Sequence, residues 1–257
     1  MIKTIFYTPM YNLLIIIVNL LGGSVGWAVV LLTAVVKIIL APLNLASIKS
    51  QIAQKKLQPE MNRIKKQYTD KTEQSQKIME LYKEHKTNPF SGCLLVLIQL
   101  PIILGLYYVF LKGLPILDPT LFYKGITEPE TLRMVFLGAD LATKSILFAA
   151  IAGITQFIQI QLSPSFRDFP SKKQTGDIVA VVDEDDDTKG KDMMTEMGGM
   201  MQKQMKYVMP VIIFVVAMAV PAAVALYWIT NNIMTIFIEL IATWQENQAQ
   251  KELALEL

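Results

Sequence analysis

One cysteine and one histidine in 257 residues remove several functions at once. Cys93 alone forms no disulfide within the chain. His85 sits in a charged loop and Cys93 opens an apolar run, so a Cys/His metal site or a Cys–His nucleophile requires two distant residues to meet. Neither a metal nor a cofactor is expected. Charge is scarce too, at 18% of residues, against about 25% in soluble domains. A net charge of +2 gives no bulk signal for a polyanion, and none for DNA. What the chain has instead is apolar surface: 53% hydrophobic residues and a mean hydropathy of +0.39. The apolar residues cluster into runs, which predicts an all-α polytopic membrane protein.

Five transmembrane helices are expected, at 24–46, 93–111, 145–162, 207–220 and 221–243. The fourth is short and forms a tight hairpin with the fifth, turning near Pro221, where a helix prefers to stop. Residues 1–23 hold a further apolar stretch. Thr8, Asn12 and Asn19 recur there at helical spacing, and one polar stripe suits a helix lying in the membrane interface. The alternatives are a sixth span or a signal sequence, although no small-residue cleavage site of the Ala-x-Ala kind follows.

Loop charges set the orientation. Residues 47–92 carry ten Lys/Arg, among them Lys55, Lys56, Arg63, Lys65 and Lys66, whereas 112–144 carries four. The positive-inside rule places 47–92 in the cytoplasm, the N-terminus outside, and 163–206 and the tail 244–257 in the cytoplasm. Within 47–92, Pro59 suits a first helical turn, and Met61, Ile64 and Tyr68, then Ile78, Leu81 and Tyr82, keep helical spacing. The segment reads as an antiparallel helical hairpin with a thin apolar seam. The loop 163–206 combines the acidic run "DEDDD" with a Met-rich stretch, either a surface helix or an adaptable binding surface.

Lys37 is the anomaly. It sits inside an apolar span, on one face with Gly26, Thr33 and Asn44. The nearer end lies about 14 Å away along the axis, roughly twice a lysine stem. Left in hydrocarbon the ammonium costs about 2.5–3.5 kcal/mol. A water-filled, protein-lined cavity removes most of that; a tilted helix with local bilayer thinning is the other solution. Gln99, Thr155, Gln156, Gln159, Tyr227, Trp228, Asn231 and Asn232 supply polar partners on other spans. Each also serves as ordinary glue between helices. No intramembrane acid stands out as a counter-ion, since Glu239 falls near the inner end of the last span. A positive cavity of this kind attracts acidic residues of a guest chain.

Three stretches together resemble the YidC family of membrane-protein insertases, with its mitochondrial oxidase-assembly and chloroplast albino relatives. "NPFSGCLLVLIQLPIILGLYY" (88–108) is similar to its Asn-Pro-x-x-Gly-Cys…Ile-Gln-x-Pro signature. "YVMPVIIFVVAMAVPAAVALYWITNN" (207–232) looks like its Met-Pro…Leu-Tyr-Trp…Asn ending. "GWAVVLLTAVVKIILAPL" (26–43) looks like its first core span, with Thr33 and Lys37 at the groove's Thr-x-x-x-Arg. Lysine keeps that charge and loses the planar fork of donors. Leu95 stands at a usual proline, and Ala223 where glycine is common. The resemblance implies the minimal five-span form in a bacterial cell membrane. It implies a hydrophilic groove lined by Lys37, Thr33, Gln99, Gln159, Tyr227, Trp228 and Asn231, open to cytoplasm and lipid and sealed outside. The guests implied are nascent membrane proteins, with ribosome and Sec translocon as partners. The basic hairpin then receives the chain or touches ribosomal RNA; a merely solvated loop explains its charge equally well. A small solute transporter or channel built on Lys37 is the competing function, though no internal repeat or paired broken helices are visible. Neither a Ser–His pair nor a pair of intramembrane carboxylates is present to make the chain an enzyme.

Overall fold

A computed structural model describes residues 7–88, 91–110, 117, 119–164 and 206–255. The acidic run and the Met-rich stretch fall in 165–205, outside the described residues. The architecture is helical: α1 (Thr8–Leu20), α2 (Val25–Ile39), α3 (Ala41–Gln67), α4 (Lys71–Glu84), α5 (Ser91–Tyr108), α6 (Ile146–Leu162), α7 (Lys206–Ala219) and α8 (Ala222–Leu255). A two-stranded antiparallel hairpin, β1 (Val135–Phe136) and β2 (Ala139–Asp140), interrupts the loop before α6.

Helix α8 organises the packing, touching α2, α3, α5 and α6. Its first turn exposes amide groups that no helical carbonyl can reach. The Ala222 amide donates to the Thr143 carbonyl at 2.7 Å and the Ala223 amide to the Leu141 carbonyl at 3.1 Å. The loop before α6 thereby caps α8. Residues 222–227 are all buried, and small side chains at 222, 223 and 225 let neighbouring helices approach closely.

Several boundaries differ from the sequence reading. The first span does not run straight to 46. The helix breaks at Leu40 and resumes at a 63° bend, with Pro42 in the first turn of α3. Proline has no amide for the carbonyl four residues back, so the ladder stops there. Asn44 therefore leaves the Lys37 stripe and donates to its own helix at the Leu40 carbonyl, 2.9 Å away. Pro59 starts no helix; it lies inside the 27-residue α3. That helix is already committed upstream, because Ile48 and Ile52 pack on Ile238 and Ala242 of α8. The tail beyond 243 is helical, since α8 runs 34 residues to Leu255.

Helix α1 is 13 residues long, about 20 Å, against a hydrocarbon core of about 30 Å. The polar stripe that suggests an interface-lying helix meets the loop after residue 119 at Asn12 and Asn19. Asn12 is buried; its amide donates to the Leu121 and Thr8 carbonyls, both at 2.8 Å, and its oxygen accepts from the Tyr123 amide at 2.8 Å. Asn19 donates to the Thr127 carbonyl at 2.9 Å. The stripe pins the 117–145 loop over the α1–α2 corner. Gly23, at φ +87°, makes that corner possible, and a Cβ there would strike the Thr131 carbonyl. Gly26 plays a steric part: Phe136 of β1 fills the space its Cβ would need. The ring also meets Trp27 edge-on, with centroids 5.4 Å apart.

Two apolar clusters result. The large one joins Tyr11, Leu14, Ile15 and Val18 of α1 to Val25, Ala28, Val29 and Leu32 of α2 and Ala222–Tyr227 of α8, with Phe148, Ala149 and Ala152 of α6. It lies toward the 117–145 loop. The small one, Ile48, Ile52, Ile238 and Ala242, lies toward the α3–α4 hairpin. That hairpin closes with Asp70 capping α4 through the Thr72 amide at 3.0 Å, and with the Tyr82 hydroxyl meeting Met61 Sδ at 3.3 Å.

Candidate functional site: a buried polar layer around Lys37

Between the two clusters the interior turns polar. Along α2, apolar burial ends at Leu32, and the next buried positions are Thr33 and Lys37. Along α8, Thr230, Asn232 and Glu239 are buried, with Asn231 and Thr235 half-buried. Positions 231, 235 and 239 are successive steps of four, so they share a face. Helix α6 adds Thr155, Gln156 and Gln159.

Hydrogen bonds link most of these groups. Lys37 Nζ donates to Thr235 Oγ1 at 3.0 Å, and that hydroxyl donates on to the Asn231 carbonyl at 2.7 Å. Gln159 donates to Glu239 Oε1 at 2.8 Å and accepts from Gln156 at 3.1 Å. Asn232 donates to Thr155 Oγ1 at 3.2 Å. Lys37 and Glu239 are 7% and 6% exposed and lie within electrostatic reach of each other. Tyr227 Oη, Asn231 Oδ1 and Glu239 Oε2 are buried without a hydrogen-bond partner among the described residues. A buried unmatched polar atom costs about 1–3 kcal/mol, so these three atoms set this part of the interior apart from a fully satisfied core.

The expected groove residues divide. Lys37, Gln159 and Asn231 enter this layer. Thr33 lines it, but its hydroxyl donates back to the Val29 carbonyl at 2.7 Å. Tyr227 belongs to the large apolar cluster, with only its hydroxyl left unmatched, and half-buried Trp228 packs against that cluster. Gln99 is half-buried on α5, outside the hydrogen-bonded set drawn from α2, α6 and α8. Glu239 corrects the sequence reading: it lies mid-helix and buried, not where the helix meets water. The signal was present in the spacing Asn231–Thr235–Glu239, and was missed because α8 was expected to end at 243.

Of the hairpin cations, Arg63, Lys65 and Lys66 are exposed. Lys55 is half-buried, and Lys56 forms an ion pair with Glu246 of α8. On α4, the hydrogen bond to Glu80 raises the Lys77 ammonium above its ordinary value, an exposed pair of small energetic weight. Burial pushes the Tyr82 hydroxyl up.

The helices are apolar outside as well as within. Leu31, Ile38, Leu104, Ile154, Val215 and Phe237 are exposed on five of them, as a lipid-facing surface requires. A charged layer inside an apolar exterior defines a helical membrane protein with an internal polar site.

The chain belongs to the 60Kd inner membrane protein family, whose profile matches residues 16–249. It is 30% identical over 244 residues to the membrane protein insertase YidC of Oceanobacillus iheyensis, covering 91% of this chain and 81% of that protein. It is 32% identical over 231 residues to the membrane protein insertase YidC of Ectopseudomonas mendocina, covering 89% of this chain but only 32% of that longer relative. A crystal structure of an active YidC insertase, with its first transmembrane domain resolved, superposes with a TM-score of 0.57 at 26% identity. That likeness spans 92% of this chain and 45% of the solved one.

Proposed function

We propose that this protein is a membrane-protein insertase and chaperone, not an enzyme. In this reading α2 with the start of α3, and α5, α6, α7 and α8, are five spans around a groove. The groove opens to the cytoplasm and to lipid. The excess of Lys/Arg in 47–92 puts the α3–α4 hairpin in the cytoplasm, the N-terminus outside and the C-terminus inside, in a bacterial cell membrane. The polar layer between the two apolar clusters carries the reading. The large cluster closes the groove toward the exterior, and the Lys37 layer lies on its cytoplasmic side.

The chemistry follows from solvation. A hydrophilic tail of a nascent membrane protein meets a steep penalty in hydrocarbon, because its polar groups lose water without replacement. Lys37, Gln159, Asn231 and Glu239 offer replacement partners part-way across. The tail therefore enters with less loss, drawn in part by the Lys37 charge. The guest's own apolar span then leaves sideways into lipid, driven by burial of its surface. No bond is made or broken. Exposed Arg63, Lys65 and Lys66 suit a first contact with the emerging chain or with ribosomal RNA. The family likeness extends the partners to the ribosome and the Sec translocon.

Reconstitution tests this directly. Vesicles holding the purified protein are expected to integrate a single-span guest with a short hydrophilic tail, without ATP and without passing small solutes. Solute flux with no integration would replace the insertase with a transporter built on the same cavity.

A further inference from the structure

Glu239 is a buried acid to which the insertase reading gives no role beyond that of a polar partner. It sits one helical turn from Thr235, which holds the Lys37 ammonium at 3.0 Å. One carboxylate oxygen is fixed by Gln159 at 2.8 Å, and the other has no hydrogen-bond partner among the described residues. The buried Ser163 side chain adjoins the same carboxylate. Helix α6 thus orients the acid, and α8 carries it one turn beyond the Thr235 that holds the lysine, with no ion pair between the two charges. The layer thus holds an acidic side chain as well as a basic one.

We propose that Glu239 is a specificity-determining residue, an internal competitor for the Lys37 ammonium that an acidic guest tail must outbid. This rests on the insertase reading and names how the site chooses. With no guest, Lys37 shares its charge between the Thr235 hydroxyl and the Glu239 field. A guest carboxylate that approaches the ammonium displaces the Thr235 hydroxyl and meets repulsion from Glu239. Acidic tails are therefore admitted against a threshold, and tails without charge pass with no exchange of partners. Asymmetric electrostatics of this kind set discrimination more than raw affinity.

The experiment uses the full chain in vesicles and two guests differing only by Asp or Asn in the tail. The readout is the ratio of their integration rates. Glu239→Gln keeps the side chain's size and its bond to Gln159 while removing the charge. It is expected to raise the Asp/Asn ratio by about fivefold or more, the lower range for coupling between two groups of one site. The Lys37→Gln/Glu239→Gln double variant is expected to abolish the gain. Thr235→Val gives an independent measure: without the hydroxyl the ammonium turns to Glu239, and the ratio is expected to fall. An unchanged or lowered ratio in Glu239→Gln overturns the inference. If that variant fails to accumulate, an unchanged or raised ratio in Thr235→Val does so instead. Wild-type vesicles that integrate neither guest would sink the insertase reading itself, which is a separate outcome.

Discussion

Replacing Lys37 by alanine is expected to slow integration of an acidic-tailed guest by about tenfold, while Lys37→Arg stays near the wild-type rate. The magnitude follows from the setting. Two opposite charges about 4 Å apart attract by about 4 kcal/mol at an effective dielectric of about 20. Much of that is offset by stripping water from both partners. A net loss of about 1–1.5 kcal/mol corresponds to roughly a tenfold change in rate. Arginine restores the charge in a different shape, and its fork reaches Thr235 and the guest together. Initial rates of protease-protected guest in vesicles give the comparison. Equal rates for wild type, alanine and arginine would remove charge at position 37 from the mechanism.

Truncating Tyr11 to alanine is expected to destabilise the protein by about 3–5 kcal/mol, the usual range for a large buried aromatic side chain. Tyr11 is fully buried in the large cluster. Its ring stacks on Tyr7 and Phe122, each with centroids 5.8 Å apart. The Phe122 contact ties α1 to the loop that caps α8, so the cavity opens where that helix and loop meet. For a chain of this size the loss corresponds to a fall in Tm on the order of 10 °C. Thermal unfolding in detergent measures it, and a melt within a degree or two of wild type would show that this ring does not hold α1 to the loop.

The apolar runs made most helices legible, because a helix in lipid must satisfy its own backbone and so announces itself by length and composition. Lys37 was legible for the opposite reason: a charge in such a run costs enough that it demands a partner. Thr33 shares the Lys37 face by helical period, whereas Gln159 and Asn231 stand in the sequence only as polar residues of other spans, joined to the groove by the family resemblance. The remainder depended on where helices stop and what they meet. Pro42 ended α2 early, which took Asn44 off the stripe. Packing on α8 carried α3 through Pro59. The length of α8 moved Glu239 from a helix end to a buried position. Asn12 looked like an interface residue because its partners, Leu121 and Tyr123, lie 109 and 111 residues away along the chain. Local periodicity shows that a polar face exists and is silent on whether water or a distant loop satisfies it. Tyr227 shows the same limit: its neighbours assign its ring to the core and leave its hydroxyl without a partner among the described residues.

The proposed insertase mechanism requires a hydrated layer at residue 37 that is reached from one side only. Cysteine accessibility reads it most directly. With the single native Cys93 changed to serine, a cysteine placed at 37 is exposed to a charged, membrane-impermeant thiol reagent from either face of the membrane. Labelling from the cytoplasmic face and protection from the outer face is the predicted result. A thiol at 37 that no aqueous reagent reaches from the cytoplasm, or that reacts equally from outside, would contradict it.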